Sequence, residues 1–364
     1  MLNVVHIIDS INVGGAQRLL FTLAQATRGM PLAMRVVSLR HDTDSPIPDQ
    51  LASLGVEVVY FPAKRMLSPN RLRRLGGWLR HERPNLVHTH LTYANIVGTM
   101  AAKAMGIPVV STLHNIRPRK QGRVALALEA RVLQWGAQQI IAVGQAVADA
   151  YRQRLAGCFI AIIPNAVAIH RPLELAEIES LRLEVSGSAD RPLLVAVGRL
   201  TPQKGFEDLL DAFALVCRDY PEAYLVIAGS GELMPELVNQ IQALNLERNT
   251  RLLGQWQDVE KLLAAADLYV SSSRWEGLSV ATLEAMAAGV AVVATAVGET
   301  PEILTGEMGI LVPPNDPENL AEALANLLAD PNKRRDLGSK ARQHVIAHYE
   351  ASAWAERILA LYGA

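Results

Sequence analysis

Two carboxylates, Glu276 and Glu284, frame the stretch SSSRWEGLSVATLEAMAAG at positions 271–289. The pattern predicts Glu276 in a loop and Glu284 about two turns into the helix that follows. Gly277, Leu278 and Ser279 then lie at the helix mouth. A helix N-terminus offers unpaired N–H groups and a partial positive charge, a natural seat for an anion. Carboxylates beside such a seat repel a phosphate unless they accept hydrogen bonds from hydroxyls. The ligand that suits both is part phosphate and part sugar, which is a sugar-nucleotide.

A second group lies upstream. GRLTPQKGF brings Arg199 and Lys204 to the end of the apolar run Leu193–Val197, with Gly198 leaving room beside them. Two cations there can clamp a diphosphate, Arg by its planar fork and Lys as a point charge. Gly229 opens another glycine turn, GSGE, and Trp256 in GQWQDVEKLL can wall a nucleotide base or simply pack. Near the start, DSINVGGAQR sets Gly14 and Gly15 before a helix beginning near Ala16. It lacks the G-x-G-x-x-G spacing, and no acidic residue closes the second strand, which excludes nicotinamide-dependent oxidoreduction.

The elements that must position these residues alternate along the chain. Predicted strands at Val4–Ile8, Met34–Leu39, Val56–Tyr60, Leu86–Thr89, Val109–Thr112 and Gln139–Val143 are separated by helical patterns. The alternation pauses at Ile163–Asp190 and resumes with Leu193–Val197, Tyr224–Ala228, Thr250–Leu253, Leu268–Ser271 and Val290–Ala294. Continuous β-branched runs between helices imply parallel strands covered on both faces. The expected fold class is α/β: two doubly wound, Rossmann-like domains facing across a cleft, with ligands at the carboxyl ends of the strands. The expected boundaries are 1–165, a linker over 166–190, 191–345, and a tail over 346–364 whose helix Ser352–Leu361 crosses back to the first domain. Cys158 and Cys217 are too few for a disulfide framework or a zinc site. MLNVVHIIDS reads as a first strand, not a signal peptide, and no uncharged apolar run reaches the roughly 18 residues of a spanning helix. Together these point to a cytoplasmic protein.

Charge is divided unequally. Residues 1–165 carry 19 Lys/Arg against 8 Asp/Glu, and residues 166–364 carry 16 against 28. Within the basic half, KRMLSPNRLRRLGGWLRHER has a basic amphipathic pattern over Leu72–Arg83, suited to an anionic membrane surface or to a helix that packs on its own sheet. Arg117, Arg119, Lys120 and Arg123 form a second cluster. No nucleic-acid recognition module accompanies them.

GGAQR, STLHN, IPNAV, VGRLTPQKG and EGLSVATLEAMAAG, in that order between Gly14 and about Leu311, resemble the retaining glycosyltransferases of GT-B architecture, family 4. The resemblance implies that Arg199 and Lys204 hold the donor diphosphate and that Glu276 meets hydroxyls of the transferred sugar. It implies that Gly277, Leu278 and Ser279 present amides, that Glu284 takes the ribose hydroxyls, and that His114 faces the reaction centre. Gly15 would approach the donor phosphate, with Gly14 and Gln17 on the acceptor side. The chain departs from the family pattern at Glu299, where a glycine is common, and at Ser279, commonly Gly or Pro; this leaves the sugar's hydroxyl preference open.

The implied reaction is retaining and metal-independent, with no cofactor besides the nucleotide-sugar, UDP-sugar first and GDP-sugar next. The one short Asp-x-Asp, Asp42 and Asp44, reads as a solvated loop. The acceptor expected from the basic half is a glycan or lipid-linked diphosphate sugar, in surface polysaccharide or glycolipid synthesis on the inner face of the membrane. Arg117 and Arg119 would help hold it. The alternatives are a non-catalytic sugar-nucleotide-binding subunit or a GT-B-like sugar-nucleotide epimerase.

Overall fold

The computed structural model describes residues 1–41, 45–65, 67–116 and 123–363, which divide into two compact units. The first runs from Met1 to Ala166 and takes in the chain's last helix; the second runs from Val167 to Glu350.

In the first unit, β1 (Leu2–Ile8), α1 (Gly15–Ala26), β2 (Leu32–Ser38), α2 (Ile47–Ser53), β3 (Glu57–Tyr60) and α3 (Pro69–Glu82) precede β4 (Leu86–His90). Then follow α4 (Thr92–Ala104), β5 (Val109–Leu113), α5 (Arg123–Gly136), β6 (Gln139–Ala142), α6 (Gln145–Arg152) and β7 (Ile160–Ile162). All pairings are parallel, in the order β3-β2-β1-β4-β5-β6-β7. The two-residue period sorts β1 between two cores. Val5 and Ile7 join the core under α3 and α4, whereas Val4 and Ile8 join the one under α1.

The second unit opens with α7 (Leu175–Ser186), then β8 (Leu193–Val197), α8 (Phe206–Asp219), β9 (Tyr224–Ala228), α9 (Met234–Ala243), β10 (Thr250–Gly254) and α10 (Val259–Ala264). It continues with β11 (Leu268–Ser271), α11 (Val280–Ala288), β12 (Ala291–Thr295), α12 (Thr300–Ile303), β13 (Gly309–Val312), α13 (Pro317–Ala329) and α14 (Pro331–His348). Its parallel sheet has the order β10-β9-β8-β11-β12-β13. The chain then returns to the first unit as α15 (Ala351–Leu361), whose Ala355 and Ile358, with Tyr362, enter the core beside α1.

Three elements depart from the pattern read in the sequence. Strands β7 and β13 are short edge strands, three and four residues long, with too little alternation to register. The stretch 166–190, expected as a linker, contains α7. That helix buries only Val185 and Ser186, so its apolar periodicity is faint, and Gly187 ends it in the left-handed conformation (φ 75°). Among the described residues no helix is long and apolar enough to cross a membrane.

Candidate functional site

In the second sheet the winding direction reverses between β8 and β11, so the loops after those two strands border the usual ligand crevice of such a sheet. Arg199 and Lys204 lie on the first loop and Glu276 on the second. The Lys204 ammonium and the Glu276 carboxylate form a direct ion pair, their side chains only 15% and 8% exposed. Ser273 Oγ donates to Glu276 Oε1 (2.8 Å), and Gln203 Nε2 donates to Oε2 (3.2 Å). Arg199 Nη2 reaches Gln203 Oε1 at 3.4 Å. Five predicted or adjoining side chains are therefore one hydrogen-bonded group. Gln203 and Ser273 were not singled out in the sequence; their signal was adjacency, one beside Lys204 and one in the serine run closing β11.

Backbone fit holds the two loops together. Ser272 Oγ donates to the Lys204 carbonyl (2.9 Å). Gly205 is left-handed (φ 59°), and a Cβ there would stand 2.3 Å from the Ser272 carbonyl oxygen, so only glycine serves. The Lys204 stem lies along Gly198, and Gly229 backs that glycine so closely that a Cβ would fall 1.8 Å from its carbonyl oxygen. Gly229 thus supports Gly198 from behind. Arg274 ties the second loop to α8 through Asp208 (2.9 Å) and Glu207 (3.2 Å).

Helix α11 begins behind this group. Ser279 is its N-cap, its hydroxyl accepting from Thr282 N (3.3 Å), and the Gly277 carbonyl accepts from Glu299 N (2.9 Å). The Leu278 side chain is buried. Glu284 is the fifth residue of α11, just past its first turn and not two turns in, because the helix starts only after the Ser279 cap. The Tyr269 hydroxyl is pushed up by burial and, secondarily, by the charges of Glu276 and Glu284, which places both carboxylates around it. Trp256 is half-buried after β10, its Nε1 without a hydrogen-bond partner among the described residues.

The first unit holds a different constellation. Its reversal point lies between β1 and β4. There Asp9 Oδ1 accepts from Ala94 N at 2.6 Å, capping the start of α4. Leu91 adopts a left-handed φ of 72°, a strained conformation for a branched side chain and a pointer to function. Strand register pairs His6 with His88 and His90 with Thr112, and the two-residue period puts all four on one face. His6 Nδ1 lies 3.0 Å from His90 Nε2, and His90 Nδ1 lies 3.2 Å from His114 Nε2. His88 bonds Tyr362 Oη through Nδ1 and Thr112 Oγ1 through Nε2. Burial depresses all four histidines, His6 to about 3 and His114 to about 4, so they are neutral at ordinary pH. His114 alone was read from sequence; the H-T-H spacing on β4 was the available signal for its partners.

His6, His88 and His90 each place a ring nitrogen within 4.8 Å of the others, the one cation-sized grouping among the described residues. Both nitrogens of His88 already face separate hydroxyls, so a cation there would have to displace one of them. A cavity of about 20 Å³ beside them is lined by His88, His90, Thr112, His114, Asn165 and Trp354, among others.

The acceptor-side expectations fare unevenly. Gly14 and Gly15 open α1 as expected, but Gln17 is buried with Nε2 donating to the Ser10 carbonyl (2.8 Å), an internal bond. Arg117, Arg119, Lys120, Asp42 and Asp44 lie outside the described residues. In α3, Leu75 and Leu79 are buried in the unit's own core with Leu72 and Trp78 packed against it, so the apolar face is not available to a bilayer. Arg73, Arg74, Arg80 and Arg83 face outward. A hollow of about 390 Å³ at the start of α3 is lined by Lys64, Arg65, Arg71 and Arg74, with no acidic side chain among its lining residues.

Comparison with known proteins reaches both units. The family profile "Glycosyltransferase Family 4" matches residues 13–171, and "Glycosyl transferases group 1" matches residues 180–344. The alpha-maltose-1-phosphate synthase of Mycobacterium tuberculosis is 30% identical over 305 residues, covering 76% of this chain and 78% of that protein. The UDP-Gal:alpha-D-GlcNAc-diphosphoundecaprenol alpha-1,3-galactosyltransferase of Escherichia coli is 27% identical, covering 69% and 68%. The crystal structure of Anabaena Alr3699/HepE in complex with UDP-glucose superposes with a TM-score of 0.90 at 24% identity, covering both chains entirely.

Proposed function

This chain belongs to the family 4 glycosyltransferases of GT-B architecture, and on that premise we propose that it moves a hexose from a UDP-sugar to a lipid-linked, anionic acceptor with retention and without a metal. The observation that carries the reading is the Lys204–Glu276 pair at the reversal point of the second sheet, with Arg199 joined to it through Gln203. A donor diphosphate competes with Glu276 for the Lys204 ammonium. Once Lys204 turns to phosphate, the freed carboxylate is a strong acceptor for sugar hydroxyls, held in place by Ser273. Binding thus converts an internal ion pair into two ligand contacts.

In the reaction, the bond between the anomeric carbon and the diphosphate oxygen breaks while Arg199 and Lys204 neutralise the departing charge. The acceptor hydroxyl attacks from the same face, and its proton passes to the leaving phosphate oxygen. Glu284 takes the ribose hydroxyls, and His114 contacts the transferred sugar. UDP is favoured because the Anabaena structure is a complex with UDP-glucose and the galactosyltransferase named above takes UDP-Gal; GDP-sugars come next. The diphosphoundecaprenol acceptor of that galactosyltransferase supports a lipid diphosphate here, and the basic hollow at the start of α3 offers it a seat of matching charge. Such an acceptor would bring the protein to the inner membrane surface through the outward arginines of α3, by charge alone.

The test is a thermal-shift screen of UDP, GDP, ADP and CMP with their common sugar conjugates, against an Arg199→Ala/Lys204→Ala control. A stabilising shift with UDP-sugars that is lost in the control supports the reading. No shift with any of them counts for a decayed donor site, and loss of transfer with EDTA, restored by metal, removes the metal-free mechanism.

A further inference from the structure

We propose that His6, His90 and His114 form a relay of locked tautomers that presents His114 to the donor sugar as a hydrogen-bond donor, through Nδ1–H. A neutral imidazole carries one N–H and one bare nitrogen. Both links in this series join an Nδ1 to an Nε2: His6 Nδ1 to His90 Nε2, then His90 Nδ1 to His114 Nε2. Each link needs one donor and one acceptor. If His90 donates through Nδ1, it must accept at Nε2, so His6 carries its proton on Nδ1 and so does His114. If His90 donates through Nε2, all three carry it on Nε2. No mixed arrangement keeps both bonds.

The far end of the series chooses between the two. His6 Nε2 is buried and has no hydrogen-bond partner among the described residues. The Nε2 arrangement would leave an N–H stranded there, whereas the Nδ1 arrangement leaves only an unused lone pair. Buried N–H groups without acceptors are the rarer of the two in folded proteins, and the Nδ1 arrangement follows. The side chains bonded to neighbouring His88 are hydroxyls, Tyr362 and Thr112, which turn to suit either neighbour and impose no order of their own. A metal held by His6, His88 and His90 would take one nitrogen of His88 and cost it the hydroxyl bonded there.

His114 then offers an N–H and no lone pair on its remaining nitrogen. It can donate to a sugar oxygen and cannot take the acceptor's proton there, which excludes it as the general base. His90 is a positioning residue, acting on the reaction only through His114. The tautomers are a property of the free protein; their catalytic consequence rests on His114 facing the donor sugar, as proposed above.

The experiment is long-range proton–nitrogen correlation on the full chain labelled with ¹⁵N-histidine at neutral pH. Signals are assigned by single His6→Phe, His90→Phe and His114→Phe substitutions. The expected spectrum shows protonated Nδ1 and bare Nε2 on all three rings; Nε2 protonation of any of them, or a mixed set, overturns the relay. Steady-state kinetics with the donor found in the screen then compare His90→Gln with His90→Phe. The glutamine amide can still donate to His114 Nε2, so His90→Gln keeps the His114 tautomer and most of kcat. His90→Phe loses the tautomer and about tenfold in kcat, with donor KM little changed. Equal losses in the two variants at equal stability would overturn the positioning role. Should the protein turn over no nucleotide-sugar, the spectrum still decides the relay, so the two readings fail separately.

Discussion

The two units share a winding pattern and solve the problem at their reversal points in opposite ways. The second unit keeps fixed charge there, Lys204 against Glu276 with Arg199 close by. The first keeps a buried stack of neutral imidazoles bonded to one another and to hydroxyls. Fixed charge suits a ligand that brings its own charge, as a diphosphate does. Neutral donors suit hydroxyls, which must be oriented without being ionised.

The comparison breaks most visibly on the charged side. Lys204→Ala leaves Glu276 buried without its cation and removes the proposed phosphate contact, so kcat/KM is expected to fall by about a thousandfold, read from initial rates against donor concentration. A loss below tenfold would mean the pair is only structural. Gly229→Ala tests the backbone beneath it. Its new methyl collides with the Gly198 carbonyl, and denaturant unfolding should show about 3 kcal/mol of lost stability.

The neutral side answers to acid. His6, His88, His90 and His114 have folded pKa values below that of an unfolded histidine, so their stabilising share is complete above about 6.5 and drains away as pH falls toward about 4. Asp9, raised to about 7 by burial, and Glu129, raised for the same reason, run the other way. Four groups outweigh two. Unfolding at pH 7 and pH 5 should differ by about 2–3 kcal/mol, and the His6→Phe/His88→Phe pair should flatten the dependence. A smaller effect sharpens the ribose assignment: Glu284→Ala weakens UDP binding about tenfold by calorimetry while leaving inorganic pyrophosphate binding unchanged. The smallest concerns α3. Arg73→Glu/Arg80→Glu reduces cosedimentation with anionic vesicles severalfold without altering turnover of a soluble acceptor, since only charge faces outward there.

Much of the charged group in the second unit was legible because its information is local. Arg199, Lys204 and Glu276 sit in short loops between strong apolar runs, and a loop after a strand is where such a sheet binds its ligand. Glu284 was placed a turn too deep because a cap residue is hard to distinguish from the first helical one without its hydrogen bond. Strands β7 and β13 were missed because a short edge strand buries too little to leave a pattern, and α7 because it barely packs. The leucines of α3 read equally well as a membrane face or a core face; packing against Val87 and Phe61 decided it.

The sequence by itself determined the alternating fold, the charged loops and the family, since these depend on periodicity and on residues close in the chain. It could not reveal that Lys204 and Glu276, 72 positions apart, form one pair, nor that His6, His90 and His114 stand in series. Those contacts exist because parallel register and a reversal of winding bring distant strand ends side by side. Whether a polar side chain there is free or spoken for depends on a neighbour that only the folded chain supplies.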